Sequence, residues 1–252
     1  MNDLTFYVAG SSPALRCASM YLTQQGYRVV EHPSAEVTHL LLPVPSFEPN
    51  GRIKGGLNLT DLLPLLPKDI TIIGGNLAHP ALDGYPVLDL LQDPMYLAQN
   101  AAITAHCAVK VALAELPVTL DHCQVLIIGW GRIGKCLASL LRAMGAAVTV
   151  AARKETDRAI LRALGYEAVD TDGLSLGLIR YRVLFNTADH PILNEKALTY
   201  CRPDCLKIDL ASTPGIAGQD VIHARGLPGK DAPETSGILI ARTCIRLTAR
   251  KE

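Results

Sequence analysis

A chain of 252 residues that is 49% hydrophobic and 19% charged is long enough for one large or two modest domains and too apolar to be disordered. Its 24 Lys and Arg balance 24 Asp and Glu, and without a basic run this argues against a nucleic-acid partner. No apolar run reaches the roughly 18 residues that a membrane-spanning helix needs, and no signal peptide is visible, so the expectation is a cytoplasmic protein with no membrane partner.

The chain opens with LTFYVAG (Leu4–Gly10), a predicted strand ending in Gly10. Ser11, Ser12 and Pro13 then read as a helix start, because a hydroxyl caps free N–H groups and Pro suits a first turn. That helix runs to about Gln25, where Gly26 stops it. Further strands begin at Tyr27–Val30, His39–Pro43 and Asp69–Gly75, the last after a helix around Leu59–Leu66. Strands alternating with helices imply parallel βαβ units. With one Gly in the Gly10 loop, residues 1–95 are expected to form a substrate domain rather than a dinucleotide site.

Asp93–Leu116 keeps a helical period and has no internal Gly or Pro after Pro94. It reads as one long helix, or two broken ones, whose residues 96–117 cross to a second domain over 118–232.

The most informative stretch follows. Val125–Gly134 reads VLIIGWGRIG, an apolar run leading into Gly129, Gly131 and Gly134. In G-x-G-x-x-G the first Gly makes a tight turn, the second lets backbone approach a pyrophosphate, and the third lets a helix pack on the strand. Arg132 and Ile133 lie inside the loop, where helix N–H groups face the phosphates. Ile133, Leu137, Leu140 and Met144 share a helical face, Gly145 ends the helix, and AAVTVAA (Ala146–Ala152) is the next strand. An NAD site usually places Asp or Glu at the end of that strand. Here Arg153 and Lys154 stand there, and the first acid is Glu155. Arg offers a planar fork and Lys a point charge to a 2′-phosphate, so NADP is favoured over NAD. In the alternative, Arg153 and Lys154 start a solvated helix and Glu155 takes the ribose.

Two later strands are predicted, Arg182–Thr187 and Leu206–Ser212, with Gly226–Lys230 as a final loop. Pro233–Arg250 has a helical pattern and is expected to pack back at the domain junction. The fold class is therefore α/β, two Rossmann-like doubly wound parallel-sheet domains with a cleft between them. Seven scattered Cys match no zinc spacing, so reduced thiols and no metal are expected.

Ligands bind beyond the carboxyl ends of strands in such sheets. This nominates Asn186, Thr187 and Ala211 with the cofactor, and Ser212 near the chemistry. Ser11, Ser12, Asn76 and Lys230 are candidates for substrate carboxylates, with the substrate between Ser11–Ser12 and the Gly131 loop. Thr104 and His106, on the crossing helix, are candidates near the chemistry, His106 as the acid/base group by its imidazole. Each also has a plain reading: Asn186–Thr187 as a strand terminator, Ser12 as a cap, His106 as an ordinary helix residue, Lys230 as a loop cation. Asp209, inside an apolar strand, reads as a buried carboxylate met by amides.

The second domain resembles the A-subunit family of dipicolinate synthase. The resemblance rests on NAxxTA at Asn100–Ala105, VLIIGWGRIG, VTVAARK at Val148–Lys154, FNT at Phe185–Thr187, IDLASxPG at Ile208–Gly215 and GLPGK at Gly226–Lys230. It implies oxidation of dihydrodipicolinate with a nicotinamide cofactor in spore-forming bacteria, beside a flavoprotein-like second subunit, and a homo-oligomer. The wider fold is similar to the two-domain 2-hydroxyacid dehydrogenases. Where the family carries Glu-Gly this chain has His106–Cys107, and where it carries a second Gly this chain has Ile216. These departures leave room for a related small dicarboxylate as substrate. A hydroxyacid dehydrogenase would need an Arg after IDLAST and a His in the later loop, and both are missing. A non-catalytic nucleotide-binding subunit or redox sensor is the remaining alternative.

Overall fold

A computed structural model describes residues 4–249. The chain divides into two compact units. One comprises the residues up to Asn100 together with those from Pro228 onward, and the other is Ala101–Leu227.

The first unit is built on five strands: β1 (Thr5–Val8), β2 (Arg28–Val30), β3 (His39–Leu41), β4 (Thr71–Gly74) and β5 (Val87–Asp89). Their order is β2-β1-β3-β4-β5 and every pairing is parallel. This is a doubly wound order whose switch point lies between β1 and β3, which places Gly10 and Pro43 at its ligand-binding edge. Helix α1 (Pro13–Gln24) starts as expected, with the Ser12 hydroxyl accepting from the Leu15 N–H at 3.2 Å. The helix expected over Leu59–Leu66 is split into α2 (Leu59–Leu62) and a 3-10 turn, Leu63–Leu65. Pro64 has no N–H to continue the α ladder. Strand β5 escaped the sequence reading because it is three residues long and lies at an edge. The core gathers Leu40, Leu42, Ile53, Ile70 and Ile72.

Helix α3 (Pro94–Glu115) is one unbroken helix, and the division between units falls inside it. The chain returns to the first unit at Pro228, within the short helix α7 (Leu227–Asp231). The Gly226–Lys230 segment is therefore largely helical rather than a loop, and Lys230 belongs to the first unit. Helix α8 (Pro233–Thr248) packs along α1. A side chain at Gly237 would overlap the Ala14 carbonyl, so the two helices approach to backbone contact there. Arg246 pairs with Asp93 at 2.5 Å and secures the same helix near the start of α3. Arg250, at the end of the expected helix, lies outside the described residues.

The second unit has six strands: β6 (Gln124–Ile128), β7 (Ala147–Ala151), β8 (Glu167–Val169), β9 (Val183–Asn186), β10 (Leu206–Asp209) and β11 (Val221–His223). The order β11-β10-β9-β6-β7-β8, all parallel, is the dinucleotide-binding arrangement with its switch point between β6 and β9. Val125–Ile128 and Val183–Asn186 are buried throughout, as central parallel strands must be. The two edge strands, β8 and β11, are again three residues each and were not foreseen.

Helix α4 (Arg132–Ala143) buries Gly134, Leu137, Ala138 and Leu141. The expected face held Ile133, Leu140 and Met144 instead, so the helix is rolled by about one position. The close seat of Gly134 on the glycine loop decides this, turning Gly134 and Ala138 toward the strand. Helix α5 (Glu155–Ala163) follows β7, and the single turn α6 (Glu195–Leu198) follows β9. All seven cysteines are free thiols, four of them buried, and burial pushes Cys244 up to about 12. Among the described residues no helix is long and apolar enough to cross a membrane.

Candidate functional site

The glycine loop takes its shape from three different demands. Gly129 has φ +108, and a side chain there would lie 2.5 Å from the Thr187 hydroxyl oxygen. Gly134 leaves no room for a Cβ because the Gly129 carbonyl already occupies the space. Gly131 differs. It caps α4 in an extended conformation, is exposed, and a Cβ there would meet nothing within 4 Å. The protein thus forces glycine at two positions and leaves the third open toward solvent. A backbone that must be approached by a pyrophosphate needs that opening. No side chain caps α4, and its first turn carries no acid, so its free N–H groups and positive end stand available to an anion. The residues present fit the phosphates of a dinucleotide. Arg132 is exposed on the first turn and Ile133 is half-buried.

Thr187 braces this loop from the neighbouring strand. Its N–H and its hydroxyl both donate to the Ile128 carbonyl, at 2.8 and 3.0 Å. Trp130 turns out of the loop to meet Tyr166 edge-on, with ring centroids 6.0 Å apart and Lys135 over its ring.

Strand β7 ends in buried Ala151 and Ala152, and Arg153, Lys154 and Glu155 are all exposed. Lys154 is the cap residue of α5 and Glu155 its first helical residue, where a carboxylate complements the helix dipole. The turn is held from below by Arg158. Its guanidinium donates to the carbonyls of Ala152 and Arg153, both at 2.7 Å, and pairs with Asp170 at 2.7 Å.

Asn186 and Asp209 form a buried pair at the ends of β9 and β10. Asp209 Oδ1 accepts from Asn186 Nδ2 at 2.8 Å and from the Ala211 N–H at 3.0 Å. Its Oδ2 accepts from the N–H groups of Gly215 and Ile216, at 2.7 and 3.0 Å. Asn186 Nδ2 also donates to the Ala188 carbonyl, and Asn186 Oδ1 accepts from the Ala188 N–H. Both amide hydrogens of Asn186 are therefore engaged inside the protein, as the strand-terminating reading of this residue has it. The pair shapes the two turns that carry Thr187 and Ala211–Ser212. Ala211 is buried, and Ser212 and Thr213 are exposed above it. The Thr213 N–H donates to Asp189 at 2.5 Å, tying the β10 turn to the β9 turn. Ile216 is buried in the apolar core of this unit.

On α3 the structure separates the two candidates near the chemistry. Thr104 is buried and His106 is exposed. Two residues turn an α-helix by about 200°, so they occupy opposite faces. In the first unit, Ser11 is exposed, while the Ser12 side chain is engaged in capping α1. The Ser11 carbonyl accepts from Arg16 at 2.6 Å. Asn76 is exposed at φ 56, and Asp89 accepts its N–H at 3.1 Å together with those of Leu77 and Leu91. Lys230 is exposed on α7.

Arg158 and Asp89 were missed by the sequence reading. Arg158 had a faint signal, a third cation close behind Arg153 and Lys154. Asp89 had none, because its partners are backbone N–H groups.

Residues 112–224 match the NAD-binding domain of the D-isomer specific 2-hydroxyacid dehydrogenases. The A-subunit of dipicolinate synthase from Bacillus subtilis (strain 168) is 32% identical over 158 residues, 60% of this chain. The match spans about half, 53%, of the length of that curated relative. The crystal structure of the dipicolinate synthase A chain from Bacillus subtilis aligns over 99% of this chain and 97% of its own, at TM-score 0.82 and 24% identity. That of the A-subunit from Bacillus halodurans aligns over 97% of both chains, at TM-score 0.84 and 20% identity. The second unit is accordingly similar to the nicotinamide-cofactor domains of dehydrogenases.

Proposed function

As a relative of the dipicolinate synthase A-subunits, this chain is, we propose, an NADP-dependent oxidoreductase that converts dihydrodipicolinate, or a closely related small dicarboxylate, to its aromatic product. The observation that carries the proposal is the β6–α4 loop, closed to side chains at Gly129 and Gly134 and open at Gly131, beside a β7 end with two exposed cations. In this reading the N–H groups of α4 hold the pyrophosphate, with Arg132 beside them. Arg153 and Lys154 hold the 2′-phosphate. Thr187 and the Ala211 backbone line the nicotinamide half, on turns fixed by Asn186 and Asp209.

The bound nicotinamide supplies the hydride acceptor. Aromatisation also requires that a proton leave the neighbouring carbon. Ser212, exposed at the end of β10, and His106, exposed on α3, are the groups assigned to hold or move it. Thr104 is buried and serves to position α3. Ser11, Asn76 and Lys230 are the assigned carboxylate-binding groups, and Ser12 acts through its cap. Work beside a flavoprotein-like second subunit, assembly as a homo-oligomer and a place in the cytoplasm belong to the same reading.

The places of the carboxylate-holding Arg after β10 and of the His in the later loop hold Ser212–Thr213 and GLPGKDAP, which disfavours hydroxyacid reduction. Calorimetry tests the cofactor assignment. NADPH should bind more tightly than NADH, and Arg153→Glu should reduce the difference by about 1–2 kcal/mol. Equal affinities in the unaltered protein would remove NADP from the proposal.

A further inference from the structure

We propose that Arg158 is a specificity-determining positioning residue, which clamps the β7–α5 turn so that Arg153 and Lys154 select the 2′-phosphorylated cofactor. The inference rests on the NADP reading above and adds to it the device that holds the selecting residues.

The geometry is confined to the carboxyl ends of two neighbouring strands. Ala151 pairs with Val169, and the ladder extends one step further through the Ala152 N–H to the Val169 carbonyl at 3.0 Å. Beyond it β7 turns into α5 and β8 runs on to Asp170. Arg158 sits one turn into α5, its own N–H bonded to the Lys154 carbonyl at 3.1 Å. Its side chain comes back across the turn to the carbonyls of Ala152 and Arg153 and to the Asp170 carboxylate. The side chain is 14% exposed, whereas Arg153 and Lys154 stand out in solvent.

The clamp acts in two ways. A guanidinium spanning both sides of the turn fixes the backbone at Arg153, so the cations there stand on a rigid base rather than on a frayed helix start. Pre-ordering of that kind lowers the entropy that a ligand must otherwise meet on binding. The clamp also neutralises Asp170, whose carboxylate is further held by the Asp172 N–H at 3.1 Å. An unpaired carboxylate beside the turn would repel a 2′-phosphate. Hydrogen bonding from the Asp172 backbone and the nearby Arg158 charge hold Asp170 below the usual carboxylate range, so it stays charged and the pairing persists at neutral pH. Arg158 therefore acts on the phosphate discrimination twice, through the turn and through the masked acid. Neither effect bears on a cofactor with a free 2′-hydroxyl to the same degree.

The test compares NADPH and NADH dissociation constants, by calorimetry, for the full chain and for Arg158→Ala, Arg158→Lys and Asp170→Asn. Thermal melts of each variant confirm folding. Arg158→Ala should weaken NADPH about tenfold and NADH less than about twofold, and Arg158→Lys should recover part of the loss. Asp170→Asn removes the repelling charge along with the pair, so it should alter NADPH binding less than Arg158→Ala. Equal weakening of both cofactors, or no change in either, would overturn the clamp. If the unaltered protein binds both equally, the Arg153–Lys154 reading fails instead. The clamp then has no discrimination to hold and falls with it, whereas a preference for NADPH that survives Arg158→Ala undiminished overturns the clamp alone.

Discussion

Gly134→Ala should abolish cofactor binding and destabilise the protein, while Gly131→Ala should weaken binding and leave the fold intact or slightly firmer. The two substitutions add the same methyl group three residues apart. At Gly134 it collides with the Gly129 carbonyl, a backbone atom held by the β6–β7 ladder through the Gly129 N–H to the Ala151 carbonyl at 2.9 Å. Relief requires α4 to lift from the strand, at a cost of about 1–3 kcal/mol typical of overpacking. The loop N–H groups that face the phosphates would move with it. At Gly131, φ is −76 and the methyl meets no protein atom. Removing the freedom of an unfolded glycine there should add about 0.4–1 kcal/mol of stability. The same methyl stands where the pyrophosphate must approach, so NADPH affinity should fall by about tenfold or more. Melting temperature and calorimetry on both variants separate the effects. A Gly131→Ala protein that binds NADPH normally would show that the phosphates do not approach this loop.

Asp209→Ala should be the most destabilising single change in the second unit away from the glycine loop. The carboxylate is 1% exposed and accepts four N–H bonds, from Asn186 Nδ2, Ala211, Gly215 and Ile216. Alanine leaves all four donors buried without a partner and opens a cavity beneath two turns. Losses of this kind run to about 3–5 kcal/mol. For a chain of this size that is a fall of roughly 10 °C in melting temperature. Asp209→Asn keeps the volume but turns an amide NH2 against two N–H donors, so it should recover only part of the loss. Thermal unfolding monitored by circular dichroism checks both. An Asp209→Ala protein melting within about 2 °C of the unaltered chain would mean that the buried pair does not hold these turns.

The sequence was most legible where one long apolar strand met glycine punctuation. Val125–Gly134 and Ala146–Lys154 could be read as strand, loop, helix and strand because β6 and β7 are five residues each and almost wholly buried. Strands β5, β8 and β11 were not legible, since three edge residues carry no alternation and owe their pairing to neighbours distant in sequence. The roll of α4 was hidden for a related reason. Apolar spacing alone admitted Met144 to the buried face, and only the seat of Gly134 on Gly129 excludes it. Among the site residues, those defined by backbone shape were readable, Gly129, Gly131 and Gly134 above all. Asp209, a buried carboxylate met by backbone amides, was readable too, but the partners of its neighbours were not. Asn186 stood open between a cofactor contact and a strand terminator, and only the position of Asp209 on the next strand shows where its hydrogens go. Lys230 looked like part of the nucleotide domain because the return to the first unit occurs inside a short helix that Gly and Pro disguise as a loop. Thr104 and His106 were both placed on α3, and the two-residue spacing sets them on opposite faces.

The proposed chemistry is oxidation of a dihydropyridine dicarboxylate with a nicotinamide cofactor. The direct test is to mix the purified protein with NADP and freshly prepared dihydrodipicolinate and follow the absorbance of reduced nicotinamide. Reduced cofactor and dipicolinate should form in equal amounts, at a rate proportional to protein and lost in Gly134→Ala, as loss of cofactor binding demands. Tight NADPH binding with no dipicolinate formed, from this substrate or from related cyclic dicarboxylates, would contradict the proposal and leave a nucleotide-binding subunit without this chemistry.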